Sequence, residues 1–207
     1  MFLLWAGLFF LVLGAACVAI DRRAVHVIYD GVPLRLHQFL IATTHLAKAA
    51  HWLALAVVVY AVAWAMLRTG SAGAALKLAF QCALAFILAL GAGSAVIHTI
   101  KLLLSRRRPR DELELKLYGF IPFGFDLKRN SFPSGHALTI TCVAVIATAV
   151  WPLAAPLWFA IALWLGLTRA LLNAHFLSDV FVGTGIGLIA SREVLVNWFP
   201  QLTQVWF

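Results

Sequence analysis

Six long apolar runs are the feature that most restricts how this chain can fold. The first, MFLLWAGLFFLVLGAACVAI, carries no charged side chain and lacks the basic start of a signal peptide. A helix of about 20 apolar residues is long enough to cross the hydrocarbon core of a bilayer. We therefore expect each run to be a membrane span. The predicted spans are residues 2–20, 50–67, 75–100, 136–152, 156–174 and 177–198.

The composition agrees with a membrane location. The 207 residues are 63% hydrophobic and only 12% charged, whereas soluble domains average about 45–50% apolar and about 25% charged residues. The predicted fold class is an all-α membrane protein, with six transmembrane helices in one bundle and a single domain over residues 1–207. A short amphipathic helix at the membrane interface is expected within residues 21–49, around Phe39 and Leu40.

The charge of the chain is strongly basic, with 16 Lys and Arg against 8 Asp and Glu. A basic excess favours nucleic acid, an anionic membrane surface or an anionic substrate as the partner. No groove-reading motif is present, so no nucleic acid is predicted. With six spans, both termini lie on one face, and most of the basic residues lie on the other face, with segments 21–49, 105–135 and 168–179.

Three cations on this basic face form the first part of a candidate site. Lys101 and Arg108 lie in KLLLSRRRP, and Arg169 follows Thr168 in TRALLNAHFLSD. The planar guanidinium of Arg matches two phosphate oxygens at once, and Lys adds a point charge. Together the three cations predict a phosphate site at the membrane edge. A plainer alternative is that Lys101 and the Arg106–Arg110 run only flank a membrane span and bind lipid head groups.

The stretch PSGH contributes the second part of the site. Ser134, Gly135 and His136 come directly before the fourth apolar run. Backbone N–H groups at a helix start attract anions, and glycine lets a ligand approach the backbone closely. A plainer alternative is that Ser134 only caps the helix, since serine is a favoured N-cap residue.

Two histidines can divide the chemistry. The i,i+4 spacing of His175 and Asp179 puts them on one helix face, where the carboxylate can hold one ring N–H and free the other nitrogen to attack. His136 is placed to protonate a leaving alkoxide. The plainer alternative is that His175 and Asp179 are a satisfied buried pair, although ionisable residues in spans are usually functional.

These clusters resemble the type 2 phosphatidic acid phosphatase superfamily, whose pattern is K-x6-R-P, then P-S-G-H, then S-R-x5-H-x3-D. Thr168 stands where the family usually has Ser and keeps the hydroxyl group. The resemblance implies six membrane helices, a phosphohistidine formed on His175, and His136 as acid and then base. It also implies no metal and no cofactor. The matching residues are Lys101, Arg108, Pro109, Pro133, Ser134, Gly135, His136, Arg169, His175 and Asp179.

Several neighbouring residues receive different interpretations. Arg106, Arg107 and Arg110 are read as a flank that binds lipid head groups. Asn173 and Ser178 are read as supports of the third cluster. The remaining histidines show no evident partner and are read as interfacial or packing residues: His26, His37, His45, His51 and His98.

The expected substrate is an anionic phospholipid or an isoprenoid phosphate. Candidates are phosphatidic acid, phosphatidylglycerol phosphate, polyprenyl diphosphate and the phosphates of lipid A. Selectivity is expected to reside in residues 21–49 and 110–130. Two other functions remain open: phosphoryl transfer to a second lipid through the same site, and a non-catalytic lipid-binding or transport protein. Oligomeric state is not predicted.

Two arguments disagree about orientation. The resemblance implies a multi-pass protein of the bacterial inner membrane whose active site faces the periplasm. The positive-inside rule, in contrast, would put the basic face in the cytoplasm. Even without the three catalytic cations, the basic residues still favour the cytoplasm, so the conflict is real, and the periplasmic orientation is the expectation adopted.

Overall fold

The computed structural model describes residues 1–70, 73–124 and 130–203, and within them the chain is mainly helical. Each of the six apolar runs contains one long helix, and the connections contain three further helices. In chain order the helices are α1 (Phe2–Cys17), α2 (Asp21–Gly31), α3 (Leu34–Thr44), α4 (Ala49–Arg68), α5 (Ala74–Leu103), α6 (Pro109–Leu115), α7 (Gly135–Val150), α8 (Ala155–Leu171) and α9 (Leu177–Trp198). Short 3-10 turns occupy His45–Ala47, Pro152–Ala154 and Pro200–Leu202.

A small β-ribbon interrupts the helical fold. Strand β1 (Leu104–Arg106) follows α5 directly and pairs antiparallel with β2 (Phe120–Pro122), so that Ser105 lies opposite Ile121. This ribbon is not predicted from the sequence, because a three-residue strand is too short to show a period-two pattern. Residues 125–129 of the expected selectivity segment 110–130 lie outside the described residues.

Length and hydropathy single out fewer spans than the six expected. Three stretches in the described residues qualify: Leu34–Arg68, Ala74–Leu103 and Pro152–Leu171. The pair α1 and α2 would qualify together but is bent by 85°. Helix α7 is apolar but has only 16 residues, and α9 carries Asp179, Arg192 and Glu193. By these criteria the described residues contain three candidate membrane spans, or four if the bent pair is counted as one, in a helical membrane fold.

The segment between the first two long helices forms two helices, α2 and α3, where one was expected. The break falls at Pro33, which has no backbone N–H and holds φ near −69°. Val32 before it is extended, with φ −88° and ψ 109°. Phe39 on α3 is 54% exposed, which leaves an apolar side chain facing outward.

The core lies where α5, α7 and α9 meet. Phe86, Leu90, Leu138 and Ile186 are buried there in one apolar cluster. Helix α1 also packs against α9, through small residues. A Cβ atom on Gly185 would lie 2.8 Å from the backbone oxygen of Gly7, so this contact requires glycine.

Many large apolar side chains point away from this core. They are found on the outer surfaces of α1, α4 and α8 and include Trp5, Phe9, Val58, Val62 and Leu157. A soluble monomer rarely exposes so much contiguous apolar surface, whereas a lipid-facing surface is expected to be apolar. The outer surface therefore agrees with a membrane location.

Three long helices end and three begin at the same end of the bundle. The hydroxyl of Tyr118, between α6 and β2, donates to the backbone oxygen of Val18 just after α1 (3.0 Å). Near the end of α8, Arg169 donates to Thr44 at the end of α3 (3.2 Å). The backbone N–H of Ser134, before α7, donates to the backbone oxygen of Asp179 at the start of α9 (3.0 Å). This end of the bundle collects the three sequence clusters.

Candidate active site

The start of α7 is fixed against the first turns of α9. The hydroxyl of Ser134 accepts a hydrogen bond from the N–H of Ala137 (3.4 Å), so its side chain caps α7. A Cβ atom on Gly183 would lie 2.3 Å from the backbone oxygen of Ser134. Only glycine permits this approach, and it sets the position of PSGH relative to His175 and Asp179. The phosphate contact predicted for Ser134 stays a prediction.

His136 follows at the first turn of α7, beside open space. A Cβ atom on Gly135 would meet nothing within 4 Å, so the helix start is accessible to a small anion. The side chain of His136 is half-buried, and the charges of Arg169, His175, Lys48 and Arg108 all act on it. The two histidines therefore belong to one electrostatic environment.

His175 lies between α8 and α9, with Asp179 one turn further along. The Nδ1 atom of His175 is 3.5 Å from the Oδ2 atom of Asp179. Among the described residues, this Nδ1 atom forms no hydrogen bond of normal geometry. Asp179 itself is fixed, because Oδ2 accepts the N–H of Phe176 at 2.8 Å and so caps α9. Catalytic hydrogen bonds are often long before substrate binds, and this pair has the arrangement of a nucleophile with its orienting carboxylate.

Burial lowers the pKa of His175, which is only 6% exposed. Asp179 acts in the opposite direction, while the charges of Arg169 and Lys101 lower this pKa further. The net pKa lies below the ordinary value. Because the folded-state pKa is depressed, the imidazole stays neutral to lower pH than an exposed histidine, and only a neutral imidazole can attack phosphorus.

The three predicted cations lie at the same end of the bundle as this pair, and the charges of two of them, Lys101 and Arg169, act on His175. The Nζ atom of Lys101 donates to the backbone oxygen of Asn130 (3.0 Å), and the guanidinium of Arg169 donates to the hydroxyl of Thr44 (3.2 Å). The charges of Lys101 and Arg108 act on each other, as do those of Arg108 and Arg169. The three cations therefore share one electrostatic environment, and their joint binding of one phosphate group stays a prediction.

Arg108 stands at the turn into α6. Its backbone N–H donates to Oδ2 of Asp111 (3.1 Å), and Pro109 occupies the first helical position, where a missing N–H costs nothing. This local cap fixes the backbone of Arg108 beside the site. Arg108 is thus positioned by the start of a short helix, α6, which hydrophobic periodicity did not predict.

Arg106 is the largest departure from the sequence interpretation. It was read as a residue that binds head groups at the surface, but this is wrong, because only 1% of it is exposed. One guanidinium nitrogen donates to Oδ1 of Asp179 (2.7 Å) and to the hydroxyl of Ser178 (2.6 Å). The other donates to Oδ2 of Asp21 and to the hydroxyl of Tyr118, both at 2.9 Å. Arg106 therefore ties the orienting carboxylate to the segment that follows α1.

Aromatic rings complete the enclosure of Arg106. The guanidinium carbon lies 4.1 Å from the ring centre of Phe176, 4.8 Å from that of Phe120 and 5.4 Å from that of Tyr118. Burial alone would lower the pKa of Arg106, but Asp179 and Asp21 raise it above its ordinary value. The guanidinium remains charged and holds both carboxylates in place.

Thr44 and Lys48 are site neighbours that the sequence did not indicate. Both come from segment 21–49, which was expected to hold an interfacial helix and to contribute selectivity, and the charge of Lys48 acts on His136. The hydroxyl oxygens of Thr44 and Thr168 are 3.1 Å apart, and Thr168 also donates to the backbone oxygen of Leu165 (2.7 Å). Thr168 stands where the family pattern has Ser. Its hydroxyl thus contacts Thr44, the residue whose hydroxyl accepts a hydrogen bond from Arg169.

His26 also has a partner that the sequence did not reveal. Its Nε2 atom is 3.2 Å from Oε1 of the buried Glu112, and the same oxygen accepts from Arg22 at 2.9 Å. The expectation of an unpartnered interfacial residue is wrong for His26. These contacts join α2 to α6 at the edge of the site.

The donor set favours anion binding. Within residues 1–70, 73–124 and 130–203, no group of three or more His, Cys, Asp and Glu side chains is arranged to hold a metal ion. The residues brought together are cations, two histidines and one orienting carboxylate. This arrangement can bind a phosphate ester, attack its phosphorus and transfer protons.

The comparisons with known proteins agree with the geometry. The model of the PAP2 superfamily matches residues 82–203, which include all three motif clusters. Two curated relatives named lipid A 1-phosphatase, from Rhizobium etli and Rhizobium johnstonii, are each 31% identical, over 108 and 110 residues. The matches cover 52% and 53% of this chain but only 43% and 41% of those relatives.

Two solved structures share the fold. One is a transmembrane PAP2 type phosphatidylglycerolphosphate phosphatase from Bacillus subtilis, with a TM-score of 0.67 and 22% identity; the alignment covers 99% of this chain and 98% of that one. The other is Aquifex aeolicus LpxE, with a TM-score of 0.62 and 20% identity, covering 86% of this chain and 96% of that one. At this identity the likeness concerns the fold.

Proposed function

We propose that this chain, which belongs to the PAP2 superfamily, is a bacterial membrane enzyme that hydrolyses a phosphate ester on a lipid. The observation that carries the proposal is that His175 lies against Asp179 at one end of the bundle. There the charges of Lys101 and Arg169 act on His175, and those of Arg108 and Arg169 act on His136. The names of the two curated relatives, both lipid A 1-phosphatases, support a lipid substrate.

In the first half of the reaction, the three cations hold the phosphate oxygens and neutralise the charge that develops on them. The free nitrogen of His175 forms a bond to phosphorus while the bond to the leaving oxygen breaks. His136 in its protonated form, which the bound phosphate favours, gives its proton to that oxygen. Asp179 stabilises the positive charge that forms on the imidazole of His175.

In the second half, water replaces the lipid alcohol. The now neutral His136 takes a proton from the water as its oxygen attacks phosphorus. The nitrogen–phosphorus bond breaks, its electron pair returns to His175, and inorganic phosphate leaves. Both halves use the same side chains in the same positions, and no metal or cofactor takes part in the proposed reaction.

We expect phosphate release from a purified lipid panel in detergent, and we expect it to persist in EDTA. The panel contains phosphatidic acid, phosphatidylglycerol phosphate, a polyprenyl diphosphate and lipid A, each with a second unlabelled lipid as acceptor. Free phosphate and phosphorylated acceptor are counted separately. Loss of activity in EDTA that Mg²⁺ or Zn²⁺ restores would contradict the metal-free chemistry, and label found mainly on the acceptor would identify a phosphotransferase.

For the membrane arrangement, we propose that α1, α4, α5, α7, α8 and α9 all cross the bilayer and that the site faces the periplasm. The alternating directions of these helices at the site end support six crossings. The three native cysteines are buried, so labelling by a maleimide reports on an engineered surface cysteine. In spheroplasts, a membrane-impermeant maleimide is expected to label Glu114→Cys at the site end.

The matched control lies at the opposite end of the bundle. Thr69→Cys, after α4, is expected to react only once the membrane is broken. The reverse pattern, with Thr69→Cys labelled in intact spheroplasts, would put the site in the cytoplasm, as the positive-inside rule suggests.

A further inference from the structure

The short helix α6 buries a carboxylate, Glu112, which is only 1% exposed. Its Oε1 atom accepts a hydrogen bond from Nε of Arg22 (2.9 Å) and lies 3.2 Å from Nε2 of His26. Both partners belong to α2, the helix against which α6 chiefly packs. The contact of Glu112 with Arg22 and His26 therefore fixes α6 to α2.

Helix α6 depends on tertiary contacts for its position. It has seven residues, and isolated helices shorter than about 12 residues are marginal in water. Leu115 at its C-terminal end is 62% exposed, so apolar burial contributes little there. The buried Glu112 is thus a main determinant of where α6 lies.

The backbone of Arg108 is tied to α6. Its N–H donates to Oδ2 of Asp111 in the first turn (3.1 Å), and Pro109 restricts the backbone between them. On the other side of Arg108, the guanidinium of Arg106 donates to Asp21, the first residue of α2, at 2.9 Å. Arg108 therefore lies between two ion pairs that both end on α2.

The side of α6 that faces His26 is also the side that a ligand would approach. Arg108 and His26 line one open cavity of about 1110 Å³. A shift of α6 relative to α2 would therefore displace Arg108 within this cavity. Misplacement of a binding group by about 1 Å can cost about 100-fold in rate.

Glu112 stays charged in this position. Burial alone would raise its pKa, but the hydrogen bonds with Arg22 and His26 hold the pKa of Glu112 below its ordinary value. In the described part of the chain, its Oε2 atom is buried without a hydrogen-bond partner. Burying a charged oxygen in this way costs folding free energy. The contact is therefore better explained by the position that it gives α6 than by a gain in stability.

We propose that Glu112 is a positioning residue for Arg108: held by Arg22 and His26, it sets where the Arg108 guanidinium meets the phosphate. This inference rests on the proposed function, because it takes Arg108 to bind the phosphate of the lipid. It gives α2 a part in the reaction, although no residue of α2 is proposed to touch the substrate.

A double-mutant cycle on the full chain in detergent tests the proposal, with the panel lipid that the wild type hydrolyses fastest, labelled with ³²P. Arg108→Ala is expected to lower kcat/KM about 100-fold, and Glu112→Gln about tenfold. In the Arg108→Ala background, Glu112→Gln should lower kcat/KM less than about twofold, because the guanidinium that it positions is gone. Glu114→Gln removes the same charge from an exposed position of α6 and, as the matched control, should leave kcat/KM unchanged.

A second pair of variants reaches the same contact from α2, so the test does not depend on the folding of Glu112→Gln. The side chain of Arg22 is 59% exposed. Arg22→Gln is expected to lower kcat/KM about threefold or more when Arg108 is present, and less than about twofold in Arg108→Ala. Arg23→Gln, at the exposed neighbouring position, is the matched control and should change neither value. Thermal melting shows whether each variant is folded.

Losses from Glu112→Gln and Arg22→Gln that are equal with and without Arg108 would overturn the positioning role, because a purely structural defect does not depend on that side chain. Wild-type kcat/KM in both single variants would overturn it as well. Wild-type kcat/KM in Arg108→Ala, or no phosphate release from any lipid by the wild type, would instead count against the proposed function.

Discussion

Replacing His175 with alanine is expected to reduce phosphate release from every lipid by about 1,000-fold or more, because it removes the proposed nucleophile. The reaction then has no phosphohistidine to form. Rapid acid-free denaturation after mixing with ³²P-labelled substrate should trap a base-stable, acid-labile phosphoprotein in the wild type and none in His175→Ala. The neighbouring cations still bind phosphate in this variant, so the loss should appear in kcat more than in KM.

The matched control is His98→Ala on α5. His98 is exposed, and its Nδ1 atom contacts the backbone oxygen of Ser94 at 2.7 Å within the same helix. It should keep wild-type activity and the trapped phosphoprotein. A His175→Ala protein that is folded, by thermal melting and gel filtration, and still releases phosphate would contradict the assignment of the nucleophile.

The sequence could place the helices and the motif residues because both signals are local. Apolar runs of span length predict helices directly, and the six runs each contain one. The spacing of His175 and Asp179 and the order of the three clusters need no knowledge of tertiary contacts. The expectation that Lys101, Arg108 and Arg169 share one end of the bundle comes from helix direction, since runs that alternate in direction return to the same end.

Ser178 could be named as a supporting residue because it lies within the third cluster, but Arg106 and Asp21 could not, because their roles depend on contacts far apart in the chain. Arg106 looks like part of an exposed basic run, yet its partners Asp21 and Asp179 lie 85 and 73 positions away. Nothing local in RRRPR separates the buried arginine from its neighbours. The burial of Asp21, just after an apolar run, is likewise set by α9, whose Ser178 N–H donates to its Oδ1 atom at 3.2 Å.

Replacing Arg106 with methionine is expected to lower both stability and activity. It leaves Asp21 and Asp179 buried without their shared cation, and breaking a buried ion pair in this way costs about 3–5 kcal/mol. We expect a lower thermal midpoint. Arg106→Lys keeps a charge but cannot reach both carboxylates with one ammonium group, so it should be milder in stability and still lose about 100-fold in kcat through misplacement of Asp179 and His175.

A second substitution separates the effect on stability from the effect on activity. Asp21→Asn in the Arg106→Met background removes one of the two uncompensated carboxylates and keeps an oxygen that can accept the N–H of Ser178. Thermal stability should recover in part, whereas kcat should stay low because Asp179 is still untethered. Recovery of both together would mean that Arg106 serves only folding.

The pH dependence of kcat/KM distinguishes a positioning role of Arg106 from a purely structural one, because a purely structural role would leave the pKa of His175 unchanged. In the wild type, Arg106 offsets part of the charge of Asp179, the group that raises the pKa of His175. Removing this cation strengthens the effect of Asp179, so the pKa of His175 should rise and the acid limb of kcat/KM should shift to higher pH in Arg106→Met. Arg106→Lys, which keeps the positive charge, should show little shift. An unchanged acid limb in Arg106→Met, or the same shift in both variants, would contradict a positioning role that acts through the His175–Asp179 pair, since charge at position 106 would then have no influence on the nucleophile.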